Sequence, residues 1–229
     1  MDRDHHWGAK AYWGLTLALL AAGTVMVIGA PVHPEVGTVQ KLLYIHLPVA
    51  ANTLVFAFVV FVASVAFLGG RRGTWDSLAQ AAAEVTLLNG TVLLVTGMVW
   101  AKVAWGHWWM WSPRLCISLI LWVMYGVYLV VRSRVSGGQR RATVGSIYGV
   151  VAFLNVPLLY LSVKLLPNDI HPATVGFEAG TYGTLLVWFA GVTFFSAGVM
   201  AASYSLSRMV AQRVEREGGG TIGMKGATA

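Results

Sequence analysis

Trp105-Gly-His-Trp-Trp-Met-Trp111 gathers four of the chain's ten tryptophans into seven residues and runs directly into Ser112-Pro-Arg-Leu115. Each indole offers a large apolar face and one N–H donor, so such a cluster suits a planar, amphipathic ligand better than an ordinary core. Haem is the first ligand of that kind to consider. Its iron calls for axial donors, and imidazoles from two different elements can clamp it from both faces. Of the six histidines, His5 and His6 sit at the N-terminus, and His33, His46, His107 and His171 fall in three segments that also include the Trp cluster. His46, in Tyr44-Ile-His-Leu-Pro48, stands where a loop enters an apolar run. His171, in Leu165-Leu-Pro-Asn-Asp-Ile-His-Pro172, follows the end of another. Both are anchored at matching depth, whereas His33, between Val32 and Pro34, reads as a more exposed loop residue. Arg114 adds a guanidinium able to meet a propionate with two parallel hydrogen bonds. Lys41, Lys102 and Lys164 flank the same segments, and for them snorkelling at helix ends is an equally good reading.

The elements that must position these groups are membrane helices. The 229 residues are 57% hydrophobic and 11% charged, and six segments, 11–30, 48–68, 78–99, 115–131, 144–166 and 182–204, approach the roughly 20 apolar residues that a bilayer core requires. In lipid the backbone must pair within each segment, and the alternation of barrel strands is missing, so the expected fold is an all-α bundle of six transmembrane helices. The first run is long for a signal-peptide core and no small-residue cleavage site follows it, so it is read as helix one. The net charge of +7 points to topology rather than to nucleic acid. Arg3, Lys10, Arg71, Arg72, Arg132, Arg134, Arg140, Arg141, Arg208, Arg213, Arg216 and Lys225 fall on one side, and only Lys41, Lys102, Arg114 and Lys164 on the other. The positive-inside rule then puts both termini in the cytoplasm and the Trp-rich loop outside. A single cysteine, Cys116, excludes an intramolecular disulfide, and no Cys-x-x-Cys-His motif is present, so any haem is held non-covalently.

The loops are short and the chain reads as one integral-membrane domain, 1–229. Outer loops are expected at 31–47, 100–114 and 167–181, and basic, solvated inner loops at 69–77 and 132–143; the tail from Glu217 is expected to be disordered. An aromatic belt accounts for Trp7, Trp13 and Trp75. If the Trp-rich loop forms a short surface helix, Trp105, Trp108 and Trp109 share a face and Trp111 points elsewhere. Glu84, the one carboxylate well inside a span, suggests helix packing near the inner side. Asn89, Thr91 and Thr96, with Gly90 and Gly97, read as scaffold, and Asn155 and Pro157 suggest an opened fifth helix. No internal repeat of the kind found in many transporters is visible.

The Trp motif with Arg114-Leu115 resembles the tryptophan-rich signature of the haem-handling membrane proteins of cytochrome c maturation, and more narrowly the heme exporter protein C family. The resemblance covers most of the chain: Tyr44-Ile-His-Leu-Pro48, Leu94-Val-Thr-Gly97, Asn155-Val-Pro157, Ser162-Val-Lys164 and His171. It implies a protein of the bacterial inner membrane that binds haem b at its periplasmic face and hands it to a periplasmic haem chaperone. It further implies His46 and His171 as axial ligands, with Trp105, Trp108, Trp109 and Trp111 as the platform. The implied partners are an ATP-binding cassette transporter and a small single-helix membrane protein, ATP being used by the transporter because this chain has no P-loop. The chain departs from the family pattern at Ser112, where an aspartate is usual, at Cys116, where a threonine is usual, and in a shorter third outer loop. The expected function is therefore haem presentation without catalysis. The alternative is a haem- or quinone-binding membrane subunit of an electron-transfer complex, although such cytochromes usually carry their histidines inside the spans. A small-molecule transporter is a third option, with Glu84 as its main support.

Overall fold

The structure is a computed structural model describing residues 2–32, 37–165 and 181–226. Seven α-helices follow in order: α1 Asp2–Gly29, α2 Leu43–Gly70, α3 Gly73–Trp105, α4 Pro113–Arg134, α5 Gly138–Phe153, α6 Asn155–Leu165 and α7 Tyr182–Gly226, with a 3-10 turn, Thr38–Leu42, leading into α2. No strand occurs among the described residues. Six helical stretches are long and apolar enough to cross a membrane, with α5 and α6 together providing one of them. This is the six-span, all-helical architecture expected from the apolar runs.

The fifth span is broken where Asn155 and Pro157 suggested. Pro157 has no N–H for the carbonyl of Phe153, and the chain tightens there through Leu154 N–H to Val151 O at 3.1 Å. Asn155 Nδ2 then donates to Ile117 O at 2.9 Å, tying the start of α6 to α4. Two other boundaries differ from expectation. Helix α2 begins at Leu43 rather than Pro48 because the 3-10 turn already supplies its first turn, and Pro48 removes just one intrahelical bond. The segment from Glu217 to Gly226, expected to be disordered, continues α7 as helix. Propagating an existing helix needs one bond per residue and no new nucleus.

Small residues set the packing. Ala81, Ala82 and Ala83 of α3 are fully buried, and around them Ala57, Val60, Leu121, Tyr125, Tyr128 and Ala152 form the core between α2, α3, α4 and α5. With lipid as apolar as the side chains, close approach and interhelical hydrogen bonds hold such a bundle together. Asn89 on α3 donates to Ser196 Oγ on α7 at 3.0 Å, both buried. Tyr12 on α1 donates to Phe194 O on α7 at 2.5 Å.

At one end of the bundle the charges pair with each other. Arg132, read from sequence as a solvated inner-loop residue, belongs to the last turn of α4 and is buried. Its Nη1 and Nη2 meet Asp76 Oδ1 and Oδ2 at 2.5 and 2.9 Å, and Nη2 also meets Gln80 Oε1 at 3.2 Å. A charge drawn below a membrane surface needs such a partner. Gln80 Nε2 donates to Glu84 Oε1 at 3.1 Å, and Ser203 Oγ of α7 donates to Glu84 Oε2. Glu84 thus joins α3 to α7, the packing role its position suggested.

Candidate functional site

The opposite end is where α2 begins, α3 finishes and α4 starts. His46 lies in the first turns of α2, half-buried, beside buried Tyr44 and Pro48. Its Nδ1 is 2.9 Å from Thr96 Oγ1 on α3. Next to that threonine, a Cβ on Gly97 would stand 3.3 Å from His46 Cε1, so the absence of a side chain gives the imidazole its room.

Helix α3 runs to Trp105 and stops at Gly106, whose φ of 80° is a left-handed cap that glycine adopts without strain. Lys102 Nζ donates to Gly106 O at 3.0 Å. The lysine therefore caps this helix end. Lys41 does a similar service, with Nζ 2.6 Å from Ile28 O near the end of α1. Residues 107–112 are irregular, so the tryptophans do not form the surface helix considered from their spacing. A residue fixed in the left-handed conformation at 106 ends the helix just as the cluster starts. Helix α4 is opened by Ser112, its N-cap, whose Oγ accepts from Leu115 N–H at 3.4 Å, with Pro113 in the first turn. Serine and aspartate are both good N-caps, which gives the departure at Ser112 a structural reading: the cap is kept and the charge is lost. The Ser-Pro pair was the sequence signal for it.

These elements enclose a cavity of about 470 Å³, in the range of small-molecule and cofactor sites. Its walls are leucines of α2, α3, α4 and α6, and its polar groups include His46, Trp109 and Arg114. Arg114 sits in the first turn of α4, where the helix dipole adds to its positive charge rather than offsetting it. The dipole of its own helix therefore does not offset the Arg114 charge. Trp109 is half-buried, and its indole N–H is buried with no acceptor among the described residues.

The four tryptophans separate into different roles. Only Trp109 lines the cavity. Trp105 packs edge-on against Trp100, with ring centroids 5.0 Å apart. Trp111 stands edge-on to Trp109 at 6.0 Å and is 79% exposed, and Trp108 is 57% exposed. His107 is exposed on the loop, and Cys116, although near, is not among the cavity-lining residues. His33 and His171 lie outside the described residues. Sequence reasoning missed Thr96 and Gly97 as site residues, although both belong to the Leu94-Val-Thr-Gly97 motif.

An apolar chamber bordered by an imidazole, a guanidinium and an indole N–H has donors that could meet a metal and a carboxylate. The family model described as heme exporter protein C matches residues 5–221. Among curated relatives, the heme exporter protein C of Bradyrhizobium diazoefficiens is 32% identical over 161 residues, covering 70% of this chain and 61% of that protein. The heme exporter protein C of Rhodobacter capsulatus is 31% identical over 160 residues, covering 65% and 66% respectively. A cytochrome c biogenesis protein CcsA of Synechococcus sp. (strain WH7803) is 39% identical over 105 residues, covering 45% of this chain and 32% of the relative. The match thus spans somewhat less than two thirds of the two exporter relatives.

Proposed function

Because the chain belongs to the heme exporter protein C family, we propose that it serves c-type cytochrome maturation by holding non-covalent haem b at one membrane face and presenting it to a periplasmic haem chaperone. The observation that carries this reading is the convergence of His46, Trp109 and Arg114 on a single apolar cavity.

Each residue has a distinct task. His46 would supply one nitrogen to the iron, and His171, in the outer loop that the sequence places before α7, would supply a second. Two imidazoles leave iron no open position, so the cargo is carried without reacting with oxygen. Trp109 gives a flat contact surface and one N–H, and Arg114 gives charge for a propionate. Trp105 braces the end of α3. Trp108 and Trp111 expose indole faces on the same loop, for the chaperone or the lipid interface to meet. The protein itself makes and breaks no covalent bond; release requires exchange of one axial ligand for one offered by the chaperone.

The same reading places the whole chain as one domain in the bacterial inner membrane. The twelve-to-four distribution of basic residues supports cytoplasmic termini and a periplasmic cavity. Its partners are ATP-binding cassette transporter subunits, which use the ATP, and a small single-helix membrane protein.

Purified protein loaded with hemin is expected to show a low-spin bis-histidine spectrum, altered in both His46→Ala and His171→Ala. An unchanged spectrum in both variants would sink the ligand assignment. Mixing the loaded protein with the chaperone is expected to move haem to it. Haem that stays bound instead points to a fixed redox group in an electron-transfer complex.

A further inference from the structure

We infer that Thr96 selects the tautomer of His46: its hydroxyl accepts the Nδ1–H and so reserves Nε2 as the nitrogen that binds metal. The argument starts from the single proton of a threonine hydroxyl. Thr96 Oγ1 lies 2.8 Å from Val92 O and 3.1 Å from Leu93 O, so two helix carbonyls compete for that proton. A carbonyl oxygen is only an acceptor, and the proton that satisfies it leaves the threonine oxygen with lone pairs alone. Nδ1 is 2.9 Å from that oxygen. With the hydroxyl proton turned to Val92 O, the shorter of the two contacts, two lone pairs would face each other at this distance and repel, so Nδ1 carries the hydrogen.

The outcome is a chain of donors running one way, from Nδ1–H to the hydroxyl to the Val92 carbonyl. Each bond polarises the next, which strengthens the arrangement where little water competes. In a neutral imidazole the other nitrogen then keeps its lone pair. Gly97 complements this chemistry with shape. The Nδ1–Cε1 edge of the ring is turned to α3, with Cε1 3.3 Å from where a Cβ on residue 97 would stand. Adjacent residues on one helix therefore supply the acceptor and the room. Metal-binding histidines are oriented in the same general manner, by a partner on the nitrogen that does not ligate. Thr96 is thus a positioning residue, acting through His46. The tautomer is argued from the Thr96 contact, whereas its use in binding iron rests on the proposed haem reading.

Nitrogen-15 NMR of the full chain in lipid nanodiscs, without haem and with labelled histidine, reads the tautomer directly, His46 being assigned by its loss in His46→Gln. The expected result is a proton on Nδ1 in the wild type and in Thr96→Ser, and a shift toward Nε2–H in the isosteric Thr96→Val. Hemin titration of the same proteins is expected to show affinity about tenfold or more weaker in Thr96→Val and restored to within about twofold by serine. A wild-type His46 protonated on Nε2, or an identical tautomer in Thr96→Val, overturns the inference whatever happens to haem. Hemin binding that ignores His46→Gln instead defeats the proposed function, and the NMR result still decides the tautomer.

Discussion

Helix α3 carries both ends of the molecule's polar chemistry. Asp76 stands near its start and Thr96 about 30 Å further along, at 1.5 Å of rise per residue. At the Asp76 end a guanidinium is buried against a carboxylate of the same chain, and Glu84 is bound by Gln80 and Ser203. At the Thr96 end a guanidinium, an imidazole and an indole N–H border a cavity. Polar groups are expensive at membrane depth in either place. Where they meet each other they lock helices together; at the other end they give an apolar cavity a polar edge.

The largest expected effect comes from breaking the locked end. Asp76→Ala strands Arg132 in a buried position, and loss of one partner of a buried pair costs about 3–5 kcal/mol. Thermal unfolding in detergent should show a large drop in midpoint, while the fraction that remains folded binds hemin with unchanged stoichiometry. Coupled loss of both properties would mean that the two ends are not separable. At the open end the pattern should reverse. His46→Ala is expected to weaken hemin binding by about 100-fold, or roughly 2.7 kcal/mol, with little change in the unfolding midpoint.

Arg114→Leu comes next, with an expected loss of about tenfold in hemin affinity, near 1.4 kcal/mol. The loss should vanish when hemin dimethyl ester replaces hemin in the titration, because the esters remove the negative charge. A persistent difference would assign Arg114 to scaffolding. The smallest effect distinguishes the tryptophans from one another. Trp109→Phe keeps an aromatic face but deletes the N–H, and the cost of one neutral hydrogen bond is about 1 kcal/mol. Trp111→Phe should leave affinity unchanged. Equal effects from the two substitutions would restore the picture of one undivided aromatic platform.

Much of the fold was legible because hydropathy is a one-dimensional property. The six spans and the break near Asn155 and Pro157 follow from residues close in sequence, and the packing role of Glu84 was suggested by a lone carboxylate inside a span, with Ser203 supplied only by the fold. Of the residues named from motif chemistry, His46, Trp109 and Arg114 border one cavity, Trp105, Trp108 and Trp111 do not line it, and His171 lies outside the described residues. Arg132 was misplaced because charge counting treats every arginine at a helix end as solvated. Its direction depends on the rotation of α4 against α3, which no local pattern encodes. Thr96 was read as scaffold for the same reason, since a threonine bonding its own helix looks alike whether or not a histidine faces it.

The sequence by itself determined that this is a helical membrane protein, where its spans lie, and which histidines, tryptophans and arginine gather in the segments between them. Those properties belong to composition, charge and spacing along the chain. Only the tertiary structure decided which tryptophan of the four lines the cavity, that Asp76 receives Arg132, and that Thr96 and Gly97 seat His46. Each of these is a contact between helices, set by how far one helix is turned and slid against its neighbour. That geometry comes from packing summed over the whole bundle.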